Sequence, residues 1–273
     1  MSCTSRPRTV AEGASSRDFE PPRRGLRSRC WCHVTGSKGS PAGYDAAVRT
    51  DGRDAQADEL SKLYRDRFGD DDLAFKRAVW GILCARVFQR YVRPEDTVLD
   101  LGAGSCEFIN AIRCTRKIAV DLNPDTAQHA QEATVLQVPS TDMHPVESAS
   151  VDVVFSSNFF EHLPTKDDVL TTLREVHRVL RPEGTLMVLQ PNIRYLAGRY
   201  WDYFDHHTPL THVSMEEALR LTGFVPERVV PRFLPYTVKG TRIRSTLLVR
   251  LYLRLRFLWP LLGRQMFIVA RPG

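Results

Sequence analysis

Asp100-Leu-Gly-Ala-Gly104 sets two glycines directly behind an apolar run, where a strand would turn into a helix. Glycine there lets a ligand come against the backbone, because no Cβ intervenes and a positive φ carries no steric penalty. Asp121 closes the next apolar run, seventeen residues past Gly104, where a carboxylate can accept hydrogen bonds from both hydroxyls of a ribose. Behind a third run stand Asp142, an acceptor for an adenine amino group, and Met143, an apolar partner for its ring. Ala103 and Leu122 complete the two turns. In open parallel sheets, ligands bind beyond the carboxyl ends of the strands at a topological switch, so these residues are expected to converge.

Residue 107 bears on the kind of ligand. A dinucleotide fingerprint G-x-G-x-x-G needs glycine there, and the chain has Glu107, a carboxylate badly suited to lie beside a pyrophosphate. A nicotinamide-dependent oxidoreductase is therefore the weaker alternative. A cationic ligand without phosphates suits Asp100 and Glu107 better.

A second reactive group lies in 200–212. Asp202, Asp205, His206, His207 and His212 put three histidines and two aspartates in eleven residues. Such a cluster offers a general base near neutral pH and a carboxylate to orient it. Asp202, Asp205 and these histidines could also hold a divalent metal, but their spacing matches no standard metal motif, and none is assigned. Cys30-Trp-Cys-His33 lacks a second ligand pair at finger spacing, and zinc is not expected there either. Glu161-His162 is a further candidate, with a structural role at a strand end as its plainer reading.

Positioning these residues requires alternating strands and helices. Short apolar runs at 97–101, 117–121, 134–138, 151–155, 185–189, 228–233 and 265–271 predict a doubly wound, mostly parallel seven-stranded α/β sheet. A helix over 166–180 should stop at Arg181-Pro-Glu-Gly184, and Ser214-Met-Glu-Glu217 reads as a capping box opening a helix that ends near Thr222-Gly223. Helical periodicity over 57–92, broken at 69–72, predicts two helices before the sheet. Residues 1–55, rich in Ser, Gly, Pro and Arg, predict a disordered tail, leaving one domain over 56–273.

In order along the chain, Val98-Leu-Asp-Leu-Gly-Ala-Gly104, Ile118-Ala-Val-Asp-Leu-Asn-Pro124, Asp142-Met143, Asp152-Val-Val-Phe-Ser-Ser-Asn-Phe-Phe-Glu-His-Leu163 and Leu180-Arg-Pro-Glu-Gly-Thr185 resemble the motifs of class I S-adenosylmethionine-dependent methyltransferases. The likeness is strongest to small-molecule enzymes of bacterial polysaccharide and secondary-metabolite pathways. It implies a Rossmann-like fold with S-adenosyl-L-methionine as cofactor. It further implies a helical lid over 56–92, a cofactor core over 97–192 and a substrate-side segment over 193–273. By that resemblance Asp100, Gly102 and Gly104 would surround the methionine portion, Asp121 the ribose, Asp142 with Met143 the adenine, and Asn158 the amino acid end and sulfonium. A similar Trp-Asp-x-Phe-Asp-His…Thr-His stretch in these enzymes singles out His206 and His212, with Asp205, for drawing a proton from a hydroxyl acceptor. In the lid, Tyr64 and Arg67 are the residues most open to a substrate role, whereas Trp80 reads as core. One position departs from the pattern: many members carry glycine where this chain has Cys106.

Charge is unevenly spread. Lys and Arg outnumber acids ten to five over 1–53 and ten to none over 228–273, whereas 54–227 holds eighteen against twenty-seven. The body is acidic, so the basic pI near 9.1 does not argue for nucleic acid. Arginines alternating with Leu, Tyr, Phe and Trp over 242–262 suit an anionic membrane surface or a lipid-linked acceptor. A non-catalytic, membrane-associated cofactor-binding protein is accordingly a further alternative. With no signal peptide and no apolar span of membrane length, the expected compartment is the cytoplasm. The expected partner is a small-molecule acceptor.

Overall fold

The computed structural model describes residues 70–236 and 245–273. The expected tail, the first lid helix with Tyr64 and Arg67, Cys30 to His33, and Arg242 and Arg244 lie outside the described residues.

The strands are β1 (Thr97–Leu101), β2 (Arg116–Val120), β3 (Thr134–Leu136), β4 (Val151–Ser157), β5 (Leu180–Pro191), β6 (Phe224–Val230) and β7 (Gln265–Pro272). They form one seven-stranded sheet in the order β3-β2-β1-β4-β5-β7-β6. All neighbours are parallel except β7, which runs antiparallel to both β5 and β6. Every residue of β1 is buried, as expected of a central parallel strand covered on both faces.

Alternation along the strands sorts the core into two layers. Leu99, Leu101, Val154, Leu186 and Val188 face one side, with Val169, Leu173 and Val176 of helix α4 (Lys166–Val179) and Met215 and Leu219 of α6 (His212–Leu221). Val98, Val153, Phe155, Met187 and Leu189 face the other. There they meet α1 (Asp70–Arg86), α2 (Glu107–Ala111) and Leu253 of α7 (Thr246–Arg254). Two one-turn helices, α3 (Thr126–His129) and α5 (Ile193–Leu196), and the short α8 (Trp259–Leu262) complete the set. Aromatic rings join α1 and α2 to the sheet: Phe108 of α2 stacks on Phe155 at 3.8 Å, and Trp80 of α1 meets Phe155 edge-on at 5.9 Å.

Several boundaries differ from the expectations. Asp70, Asp71 and Asp72 lie within α1, because Asp is only moderately unfavourable in a helix and no proline enforces a stop. Helix α4 passes directly into β5, and Arg181-Pro-Glu-Gly184 becomes a bulge, visible as a register break against β4 between Val151 and Val153. Arg181 pairs there with Asp152. Helix α6 is capped by Thr211, whose hydroxyl accepts from the Ser214 amide, so Ser214 is the third helical residue and not the cap. Strand β6 begins at Phe224, four residues earlier than the apolar run suggested. Gly223 ends α6 with φ of 86° and turns the chain straight into the sheet. Pro226, which cannot donate to a ladder, sits at a register shift against β7.

Trp80→Ala is expected to lower unfolding stability by about 2–4 kcal/mol, since it removes most of the aromatic contact that docks α1. Urea unfolding checks this, and a loss below about 0.5 kcal/mol would mean that α1 is held by other contacts.

Candidate active site

The sheet order reverses between β1 and β4, and the chain after each of β1, β2 and β4 bends sharply there. Gly102, Gly104 and Cys106 all take positive φ, at 72°, 50° and 61°. A Cβ on Gly102 would lie 2.4 Å from the Phe159 ring, so this glycine admits both the turn and the aromatic packed over it. The Gly104 amide donates to Asp121 Oδ2 at 2.7 Å, while Oδ1 accepts from the Asn123 amide at 2.8 Å. Asp121 thereby ties the glycine loop to the turn after β2. Ala103 is buried beside it, and the Leu122 carbonyl accepts from Gln137 Nε2 at 3.1 Å.

Cys106 is fully buried and caps α2 in the left-handed conformation, which is where the resemblance expected glycine. A side chain in that conformation costs on the order of 1–2 kcal/mol. Its thiol packs 3.6 Å from the Thr126 carbonyl. Burial, with Asp100, Asp121 and Glu107 nearby, pushes this thiol up to about 12.

Three acids therefore share one corner. Burial holds the Asp100 carboxyl well above its usual range, and Glu107 and Asp121 reinforce the shift. Burial also raises Asp121, against the opposing hydrogen bonds from Asn123 and Gly104. Glu107 is buried and paired with Lys76 of α1 at 2.9 Å. A corner with this surplus of negative charge suits a cationic ligand and repels a pyrophosphate.

The loop that carries Asp142 and Met143 is clamped from α4. Glu175 Oε2 accepts the Met143 amide at 2.9 Å, and Arg178 donates to the carbonyls of Met143 and Val146 at 3.0 and 2.9 Å. Arg178 in turn holds the Glu175 carboxyl below its usual range. Asp142 is exposed, 3.4 Å from His144, whereas the Met143 side chain is fully buried in the α4 layer of the core. Asn158 ends β4 at φ 48°, a conformation Asn tolerates, and its Oδ1 accepts from Gln265 Nε2 of β7 at 2.7 Å.

The histidine-rich segment folds back over the turn after β4. Asp205 turns to His162 of that turn. Its Oδ2 lies 3.1 Å from His162 Nδ1, and its carbonyl lies 3.0 Å from the same nitrogen. His206 is buried with Nδ1 2.7 Å from the Tyr200 carbonyl, and its ring lies 5.1 Å from that of His162. Glu161 is 1% exposed, its Oε2 accepts from Gln190 Nε2, and its carbonyl accepts the amides of His207 and Thr208. His162 is held above its ordinary range: burial opposes the charge, but Asp205 and Glu161 outweigh it. His212 belongs to a separate set of contacts, with Nδ1 3.0 Å from Asn192 Nδ2 and its ring stacked on Tyr195. Burial and Arg194 hold it below the usual range.

Glu161, His162, Asp205 and His206 are thus one cluster, with Gln190 and Tyr200 bracing it. Gln190 stood outside the candidate residues, and Tyr200 was named only as part of the 200–212 stretch, without a role. The signal available for Gln190 was a lone polar residue closing an otherwise apolar strand.

Cys106→Gly is expected to change stability by no more than about 1 kcal/mol, since relief of left-handed strain offsets lost burial and a looser unfolded chain. Cys106→Val should cost about 2 kcal/mol or more, because a β-branched residue is disfavoured at that φ. Thermal unfolding compares the two, and equal effects would mean that backbone strain at this position is unimportant.

Residues 99–188 match the family model for a methyltransferase domain. Among curated proteins no sequence matches. A chain in the complex between the Haloferax volcanii Trm112 methyltransferase activator and a methyltransferase superposes with TM-score 0.54 at 21% identity, covering 82% of this chain and 96% of that one. A SAM-dependent methyltransferase from Archaeoglobus fulgidus gives 0.55 at 18%, covering 78% and 97%. Geranyl diphosphate C-methyltransferase from Streptomyces coelicolor, solved with Mg2+, geranyl diphosphate and S-adenosyl-L-homocysteine, gives 0.53 at 15%, covering 72% and 77%. At these identities the likenesses speak to fold, and the family match speaks to the domain. With a sheet of this order, a glycine turn after β1 and a family match over residues 99–188, the chain has the fold of the S-adenosylmethionine-dependent methyltransferases it superposes on, and its central segment matches the methyltransferase-domain family.

Proposed function

We propose that the domain methylates a hydroxyl oxygen of a small acceptor, a glycan precursor or a secondary metabolite. The observation that carries this reading is the cluster of buried Glu161 and His206 with half-buried His162 and Asp205 beyond the end of β4. His162 is near enough for Asp121 to feel its charge. A carbon acceptor of an apolar kind would find little use for so many ionisable groups.

The residues divide the work. Asp100, Glu107 and Asp121 balance the positive charge of the methyl donor, with Asp121 toward the ribose and Gly102, Ala103 and Gly104 giving backbone access. Leu122 and the Asp142–Met143 turn border the adenine, and Asn158 the amino acid end. S-adenosylmethionine supplies an activated methyl group on a sulfonium. The acceptor oxygen forms the new C–O bond as the C–S bond breaks, and its electron pair stays on sulfur. The protein's part is to align the two reactants and exclude water. The hydroxyl must also lose its proton, and the cluster supplies groups that take or weaken it. His206 and Asp205 belong to it. His212, whose Nδ1 accepts from Asn192 and whose Nε2 then carries the proton, serves better to orient an acceptor than to deprotonate it.

Donor binding should be stronger in its effect at higher pH. Carboxyls with raised folded pKa, here Asp100 and Asp121, favour the folded chain fully only below their ordinary pKa. That contribution fades as pH rises through the raised values, and a cationic donor restores it. The thermal shift caused by S-adenosylmethionine is therefore expected to grow with pH through that window. Asp121→Ala should weaken donor binding at least about ten-fold, a loss of about 1.4 kcal/mol. His206→Ala should keep donor binding and lower methyl transfer to an extract of the source cells by roughly a hundred-fold. Binding of NAD in place of the methyl donor would overturn this reading in favour of an oxidoreductase.

A second reading concerns where the acceptor is met. Leu247, Leu248, Leu251 and Phe257 are exposed on α7 and the turn after it, beside exposed Arg250 and Arg254. We propose peripheral contact of this face with an anionic membrane carrying a lipid-linked acceptor. No helix among the described residues is long and apolar enough to cross a membrane. Co-sedimentation with phosphatidylglycerol-containing vesicles, lost in Leu247→Glu/Leu251→Glu and absent with neutral vesicles, is the expected result; equal binding to both vesicle types would count against it.

A further inference from the structure

Glu161, His162 and His206 come from two separate stretches of chain, yet one candidate ligand atom from each lies within 4.8 Å of the others. We propose that these three residues hold a divalent first-row transition-metal ion, and that its open coordination positions face the acceptor. This deepens the reading of the cluster as the acceptor end of the site. The ligand set differs from the one the spacing had left open: Glu161 and His162 join His206 in place of Asp202 and Asp205.

Three observations support it. The first is the tautomer that each histidine must adopt. His206 Nδ1 lies 2.7 Å from the Tyr200 carbonyl, an acceptor only, so Nδ1 carries the proton and Nε2 the lone pair. His162 Nδ1 faces the carbonyl and the carboxylate of Asp205, at 3.0 and 3.1 Å, so the same assignment holds. His162 Nε2 in turn lies 4.0 Å from Glu161 Oε1. A histidine that donates one ring N–H to a carbonyl or carboxylate and offers the other nitrogen is the arrangement metal-binding histidines adopt.

The second observation is charge. Buried Glu161 and half-buried Asp205 set two carboxyl groups against the two histidines. With both carboxyls ionised, one imidazolium leaves that pair one positive charge short of balance, whereas a divalent ion with two neutral imidazoles balances both. The third is bracing. Gln190 Nε2 holds Glu161 Oε2, leaving Oε1 as the oxygen turned toward His162, while Gln190 Oε1 is buried without a hydrogen-bond donor among the described residues.

Two nitrogens and one carboxylate oxygen form a donor set that suits zinc, manganese(II), iron(II) or cobalt(II) and leaves positions for a substrate oxygen. Ligand bonds of about 2.0–2.2 Å need ligand atoms roughly 3–3.5 Å apart, so the 4.0 Å between Glu161 Oε1 and His162 Nε2 must close slightly. A hydroxyl oxygen on such an ion is polarised without any histidine having to act as base.

The test uses the untagged full chain, stripped with a chelator and titrated with Co2+ and with Zn2+ by calorimetry. The Co2+ visible spectrum reports whether imidazole nitrogens coordinate. One equivalent bound, with that spectral signature, is expected. Glu161→Gln and His206→Gln should each weaken binding at least ten-fold, whereas His207→Ala, an exposed histidine of the same loop, should not. Because Glu161→Gln disturbs a buried network, its folding is checked by S-adenosylmethionine binding, and His206→Gln stands as the second variant. No stoichiometric binding, or binding that survives both variants, overturns the metal site. Methyl transfer that continues unchanged in chelator overturns its role toward the acceptor while leaving the hydroxyl-methylation reading intact. Stoichiometric Co2+ binding without transfer to any hydroxyl compound would keep the site and sink that reading instead.

Discussion

Asp100, Glu107 and Asp121 are crowded into one poorly hydrated corner at the carboxyl ends of β1 and β2, and the surrounding structure is arranged around that unfavourable charge. Lys76 reaches from α1 to pair with Glu107. Two backbone amides, from Gly104 and Asn123, are spent on Asp121. The loop tolerates left-handed backbone at three alternating positions to bring those amides round, one of them a fully buried cysteine. A protein selected only for stability would not keep such a corner, and the cationic donor proposed for it would offset that charge.

The rigid layers on either side explain how that corner is kept in place. On one face the stacked rings of Phe108 and Phe155 and the edge of Trp80 lock α1 and α2 against the sheet. On the other, Glu175 and Arg178 of α4 hold the turn carrying Asp142 and Met143 through its backbone, so that the turn's position does not depend on exposed Asp142. The acceptor side is built differently. Its polar groups sit on the turn after β4 and on the returning segment to α6, and they are organised by one another: Asp205 on His162, the Tyr200 carbonyl on His206, Gln190 on Glu161. The proposed donor side thus rests on the sheet, whereas the proposed acceptor side rests on loop-to-loop contacts, which are freer to differ between proteins that share this fold.

The class of fold, the glycine turn and the acids at the strand ends were legible in the sequence because they depend on short-range patterns: apolar runs of strand length, glycine where φ turns positive, and one polar residue at the end of each run. Glu107 by itself argued for a cation over a phosphate, and Cys106 marked the position that proved to be left-handed and buried. Boundaries were less legible where a tertiary contact overrode local preference. Arg181-Pro-Glu-Gly184 looked like a turn and became a bulge because Asp152 of the neighbouring strand engages Arg181, and β6 started early because Gly223 delivers the chain straight to β7.

Which histidine meets which carboxylate was beyond the reach of sequence. The sequence grouped Asp205 with His206 and His212 as one candidate set. The fold instead turns Asp205 to His162, forty-three residues away, and seals His206 against its own loop at Tyr200. Local spacing therefore determined the sheet and its cofactor turn, where hydrogen bonds and φ values are set within a few residues. The composition of the acceptor cluster was decided by the folding of two distant loops onto one strand end, a matter of long-range packing that no periodicity along the chain encodes.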